Sequence, residues 1–110
     1  MMSVALEVRN PYEQLEIEQD VLFFKLGAPG LVCFHGRNYN MKRRMTAEQI
    51  GRLTADPTFY RIGADCYVNV KKISSIEHDR LYFGDKGPDS KVLPAPKRHQ
   101  MAIRSMLAHA

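Results

Sequence analysis

The chain has 110 residues, 45% of them apolar and 25% charged, enough for one globular domain with its own core and too few for two. The two cysteines form no Cys-x-x-Cys pair and the four histidines are scattered without metal-ligand spacing, so neither a metal site nor a cofactor is expected. No apolar run approaches the ~20 residues of a membrane helix, and the N-terminus lacks the basic region and apolar core of a signal peptide, so the reading is cytoplasmic, with no membrane partner.

Taken in chain order, the sequence reads mainly as short strands. The first are predicted at Leu15–Ile17, Val21–Lys25, Leu31–His35 and Tyr39–Arg43, with Gly27-Ala28-Pro29-Gly30 and Gly36-Arg37-Asn38 as separators rich in turn-tolerant residues. Thr46 then offers an N-cap with Gln49 three residues on, the pattern of a capping box; Ile50 and Leu53 fall on one side of this helix, and Asp56-Pro57 ends it. Further strands are predicted at Phe59–Ile62, Tyr67–Val70, Ser74–Glu77, Leu81–Phe83 and Lys91–Leu93, with a turn region from Gly84 through Pro88. In the clearest alternation, Cys66, Val68 and Val70 share a core face while Tyr67, Asn69 and Lys71 share a face that is wet or partnered. A last helix follows Pro96, with Met101, Ile103, Met106 and Leu107 as its packing stripe. The fold class is therefore mainly β with few short helices: one short central helix and one C-terminal helix.

Charge is distributed unevenly. Residues 1–20 hold five acids and one base, which leaves fifteen bases and seven acids for the rest of the chain. Such a basic remainder is a candidate polyanion surface, though basic proteins with no nucleic-acid partner are common. Arg37 and the run Lys42-Arg43-Arg44 occupy one predicted hairpin and its exit with no acid among them, placed either to neutralise successive phosphates or to solvate a strand end. Pro96-Lys97-Arg98-His99 sits at the expected first turn of the last helix, where cations oppose the helix dipole by a few tenths of a kcal/mol each. A docked phosphate would relieve that conflict, and so would a helix that begins one turn later. Asn69 has two readings, a hydrogen bond to adenine or a bond to nearby backbone.

Catalysis finds little support. The sequence contains no Gly-rich phosphate loop, no Gly-x-Ser-x-Gly elbow and no His-Glu-x-x-His, and Cys66 reads as a small buried apolar side chain, so an enzyme is not expected.

Phe59-Tyr60-Arg61-Ile62, Tyr67-Val68-Asn69-Val70 and Ile73-Ser74-Ser75-Ile76-Glu77 together resemble the core motif of the LytTR (LytR/AlgR-type) DNA-binding domains of bacterial response regulators. Gln19–Phe24 is similar to the family's opening strand, Met45–Leu53 to its helix, and Leu93-Pro94-Ala95-Pro96-Lys97-Arg98 to the segment ahead of its C-terminal helix. The resemblance implies short antiparallel strands in several small sheets, loops that enter successive major grooves, and dimers on paired DNA repeats that regulate transcription. Matched position by position, it implies DNA contacts at Asp65, at Lys97 and in the Leu26–Gly30 loop. Two of these depart from the family: Asp65 brings an acid to phosphates, and Leu26-Gly27-Ala28-Pro29-Gly30 carries no polar side chain. Lys97 keeps the charge of the family's arginine without its bidentate geometry.

The expected organisation is an acidic N-terminal segment over residues 1–14 and a LytTR-like DNA-binding domain over 15–110, with no receiver domain ahead of it. The expected function is sequence-specific binding of double-stranded DNA by a transcription regulator, with Arg37, Lys42, Arg43, Arg44, Asp65, Lys97 and Arg98 at the interface. The alternative is a LytTR-like protein-interaction module that has lost base readout and modulates another regulator.

Overall fold

The computed structural model describes residues 16–84, 87 and 90–108, so the acidic segment over 1–14 lies outside the described residues. Where a strand was expected at Leu15–Ile17, the chain instead makes one helical turn, α1 (Ile17–Asp20); Leu15 itself is outside the described residues. The cause is local. The Glu16 carbonyl accepts from the Gln19 and Asp20 amides, and the Asp20 carboxylate returns a 3.0 Å bond to the Glu16 N–H, a closed loop that an extended chain cannot form.

Among the described residues eight strands follow in two antiparallel sheets. The larger contains β1 (Val21–Leu26), β2 (Leu31–Gly36), β3 (Asn40–Arg44), β4 (Phe59–Arg61) and β5 (Cys66–Asn69), in the spatial order β3-β2-β1-β5-β4. The smaller contains β6 (Ser75–Glu77), β7 (Arg80–Tyr82) and β8 (Val92–Pro94) in sequential order. Two longer helices, α2 (Ala47–Ala55) and α3 (Lys97–Ala108), complete the domain, and a single 3₁₀ turn over Val70–Lys72 leads from β5 toward β6. Most strands match their expected positions to within one or two residues.

The Thr46 cap forms as expected: its hydroxyl accepts from the Gln49 N–H at 3.1 Å, and the Gln49 side chain accepts from the Thr46 N–H at 2.9 Å. α2 thereby buries Leu53 and rests Ile50 on the sheet, with Phe24, Phe34, Val32, Val21, Met41 and Phe59 beneath them. On the sheet's other side Phe23, Val68 and Val70 pack with Leu81, Phe83, Leu93 and Ile103 from the small sheet and α3. Both faces of the large sheet therefore carry a core, and the face of β5 expected to be wet or partnered is covered within the domain: Tyr67 stacks on Phe24 with ring centroids 5.0 Å apart.

The packing stripe of α3 also differs from expectation. Ile103 is fully buried and Met106 packs beside it, but Met101 is 71% exposed and Leu107 lies at the surface, while Gln100 is buried. Gln100 is held by two hydrogen bonds from its side-chain amide, to Asp79 Oδ1 and to the Ala95 carbonyl, which offset the cost of burying it.

Candidate nucleic-acid interface

Antiparallel pairing assigns every cation of the large sheet to a face. Lys42 pairs with Cys33, Cys33 with Lys25, and Lys25 with Cys66, so these four residues form one row across the sheet. Arg44, opposite Leu31, stands on the same face at the next position along β3. The small sheet and α3 cover the β1-β5-β4 part of this face through Phe23, Val68, Tyr60 and Ile62, whereas Lys25, Lys42 and Arg44 on the uncovered side are exposed. Neighbouring strands lie ~4.8 Å apart and alternate residues on a strand ~6.8 Å apart, so the three cations mark a triangle of about 7–12 Å.

This cluster sits toward one end of the molecule, where the Gly27–Gly30 loop, the Gly63–Asp65 turn and the exit from β3 meet. The Leu26 N–H donates to the Asp65 carbonyl at 2.8 Å, and the Met45 N–H donates to the Gly30 carbonyl at 2.8 Å, made possible by the positive φ of 79° at Gly30. Arg61 braces the turn before Asp65, its guanidinium donating to the carbonyls of Gly63 (2.9 Å) and Ala64 (2.8 Å). Asp65 is thus presented on a fixed, exposed turn.

The N-terminus of α3 points to the same end. His99 Nδ1 lies 2.8 Å from the Tyr60 hydroxyl, while Met106 and Leu107 line a groove with Pro57, Thr58 and Val70 at the other end of β4 and β5. The helix therefore runs back along β4, and its first turn, with exposed Lys97 and Arg98, projects past Tyr60 toward the Asp65 turn. The helix begins at Lys97, with Pro96 O accepting from the His99 and Gln100 N–H groups, so these cations do occupy its positive pole.

Other expected residues fall elsewhere. Arg37 lies in the β2–β3 turn at the opposite end of the sheet, bordering a cavity of about 320 Å³ with Gln19, Tyr39 and Lys72. Arg43 pairs with Val32 and faces the α2 side, away from Lys42 and Arg44, because side chains alternate along β3. Asn69 is fully buried: its side-chain amide donates to the carbonyls of Glu18 (2.8 Å) and Val21 (2.9 Å), and its Oδ1 accepts from the Lys71 N–H (3.1 Å). Of its two sequence readings, the backbone bond is the one formed.

Lys25 and Lys91 were missed in the sequence. Lys25 interrupts the apolar run of β1 at an alternate position from Phe23, a signal that alternation analysis of that strand would have caught. Lys91 is legible only in three dimensions: its ammonium donates to the Tyr39 carbonyl (2.7 Å) and Asn40 Oδ1 (2.6 Å), tying the small sheet to the β2–β3 hairpin.

The electrostatics of this face are one-sided. His35 stacks on Phe23 at 4.4 Å, and burial, followed by the charges of Lys91 and Lys25, holds its pKa below the ordinary value, keeping it neutral at pH 7. Burial raises the Cys66 thiol against the opposing pull of Lys25, which favours its protonated form. Lys25, Lys42, Arg44, Lys97 and Arg98 pair with no acid among the described residues. Among those residues no group of His, Cys, Asp and Glu is placed to hold a metal ion, and no helix is long and apolar enough to cross a membrane.

A five-stranded antiparallel sheet, backed on one face by a three-stranded sheet and a C-terminal helix, is a LytTR-like fold. Among solved structures the chain is similar to a LytTr DNA-binding domain from Bacillus cereus, with 14% identity over 82% of this chain and 83% of that one and a TM-score of 0.52. No family model and no curated protein matches the sequence.

Proposed function

We propose that this chain binds double-stranded DNA in a sequence-specific manner as a cytoplasmic transcription regulator of the LytTR type, acting by binding and not by catalysis. The observation that carries the reading is that one end of this fold presents exposed cations from three separate elements: Lys25 on β1, Lys42 and Arg44 on β3, and Lys97 and Arg98 on α3. Unpaired helix N–H groups beside Lys97 and Arg98 suit a phosphate oxygen, so the duplex backbone seated there removes the repulsion that the free domain bears. Asp65, on its braced turn, meets the groove and accepts from a cytosine amine, the one base-edge role open to an acid. This footprint leaves Arg37 and Arg43 aside. Two copies on a pair of repeats would place two such ends on one face of the duplex.

The test is a mobility shift on a labelled duplex library across a salt series, with sequencing of the retained fraction. Five phosphate contacts correspond to a slope of log affinity against log salt of about −4.5. Enrichment of a spaced repeat is expected, and the double variant Lys97→Ala/Arg98→Ala is expected to flatten the slope by about two units. Absence of binding even at low salt overturns the reading.

A second reading has its own observation. The Gly27–Gly30 loop brings no polar side chain to the interface and Asp65 brings a negative one, so base readout is weak at two of the points where the fold meets a groove. On this reading the domain binds another regulatory protein, and heparin retains it weakly or not at all.

A further inference from the structure

Two consecutive residues of the β6–β7 turn, His78 (φ 51°) and Asp79 (φ 63°), are in the left-handed region, between the paired residues Glu77 and Arg80. This is a two-residue hairpin turn of the kind that favours Asn-Gly, and here it holds neither asparagine nor glycine. Histidine and aspartate tolerate the left-handed region better than most residues, but the second position ordinarily holds glycine, so Asp79 there calls for a reason outside the turn's own conformation.

Asp79 supplies one. Its carbonyl accepts from the Ala95 N–H at 2.8 Å and its carboxylate accepts from Gln100 Nε2 at 3.0 Å. Gln100 also donates to the Ala95 carbonyl at 2.8 Å, closing a ring of hydrogen bonds around the segment that leads into α3. Ala95 and Gln100 are buried, whereas Lys97 and Arg98 between them are exposed. Across the helix, His99 meets Tyr60 of β4, so the first turn of α3 is gripped from both sheets.

We propose that Asp79 is a positioning residue: by holding Ala95 and Gln100 from the strained β6–β7 turn, it sets the direction in which Lys97 and Arg98 leave the domain. The inference rests on the DNA reading above. The carboxylate touches no nucleic acid itself; it fixes where the two cations meet successive phosphates, and a helix start held only by the Ala95 backbone bond and the Tyr60–His99 contact would engage them one at a time.

Asp79→Gly separates this role from a structural one, because glycine suits the turn and removes only the carboxylate. Its melting temperature is expected to stay close to the wild type's, the relief at the left-handed turn offsetting the bond lost at Gln100, while duplex affinity falls about tenfold because Lys97 and Arg98 no longer engage successive phosphates together. The salt slope is expected to flatten by about one unit. Asp79→Asn tolerates the left-handed turn and keeps an acceptor at Oδ1, so it is expected to restore most of the affinity and the slope. Should Asp79→Gly fail to fold, Gln100→Met removes the donor at similar length and carries the same expectation for affinity and slope. A wild-type chain that binds duplex beside an Asp79→Gly chain of unchanged affinity and slope overturns the positioning role alone. A wild-type chain that binds no duplex at low salt overturns the DNA reading, and the role of Asp79 with it.

Discussion

Replacing Asn69 with Asp alters one group in the best-connected buried polar side chain of the domain. In the native chain the amide nitrogen donates to two carbonyls, at 2.8 Å and 2.9 Å, while Oδ1 accepts from the Lys71 N–H. The aspartate keeps the Lys71 bond, but its second oxygen faces the Glu18 and Val21 carbonyls where donors stood. Two hydrogen bonds at ~1 kcal/mol each are lost, and a fully buried carboxylate confronting two carbonyl oxygens adds roughly 1–3 kcal/mol, for a deficit of about 3–5 kcal/mol at neutral pH. Protonation restores one donor, so the folded-state pKa of the new carboxyl rises above its unfolded value of ~3.9. A raised folded pKa contributes stability below the unfolded value and loses it as pH rises through the folded value, so the deficit against the wild type is smallest near pH 4 and complete at neutral pH. Urea denaturation of both proteins across this range measures it. A deficit below about 1 kcal/mol, or one that is equal at pH 4 and pH 7.5, refutes the assignment of Asn69 as the bolt between α1 and β5.

Two further outcomes follow from the geometry. Lys25→Ala is expected to flatten the salt slope of duplex binding by about one unit while Arg37→Ala, at the opposite end of the sheet, leaves it unchanged; equal effects in a mobility-shift series would move the footprint. His35, whose pKa is lowered first by burial and then by Lys91 and Lys25, contributes stability that is present above its ordinary value of 6.5 and is lost as pH falls through the lower folded-state value. His35→Phe keeps the stack on Phe23 and removes the titration, so its stability relative to the wild type should rise as the solution is acidified below about pH 6.5, measured as the difference in thermal midpoint.

Local chemistry made much of the fold legible. The capped helix could be placed from Thr46, Gln49 and Asp56-Pro57 because each of those signals acts within a few residues of itself, and the hairpins could be placed from their glycine- and proline-bearing turns. The helical turn at Ile17–Asp20 escaped because a brief apolar segment reads equally well as a strand, and the Asp20 bond back to Glu16 that decides the matter is a side-chain choice. The stripe of α3 was misplaced for a different reason: hydropathy marks Met101 as core and Gln100 as surface, and only the Asp79 and Ala95 partners make burial of the amide favourable.

The candidate site divides in the same way. The sequence by itself determined where the cations cluster along the chain, the capped and proline-started helices, and a mainly β domain, since composition, turn residues and periodicity are properties of neighbours. Which cations share a surface was decided by the tertiary structure alone. Strand alternation turns Arg43 away from Lys42 and Arg44, pairing brings Lys25 beside them from a strand seventeen residues earlier, and the hairpin carries Arg37 to the far end. The return of α3 along β4 then brings Lys97 and Arg98 to the loop end. Such proximities depend on register and packing between segments far apart in sequence, which no local pattern encodes.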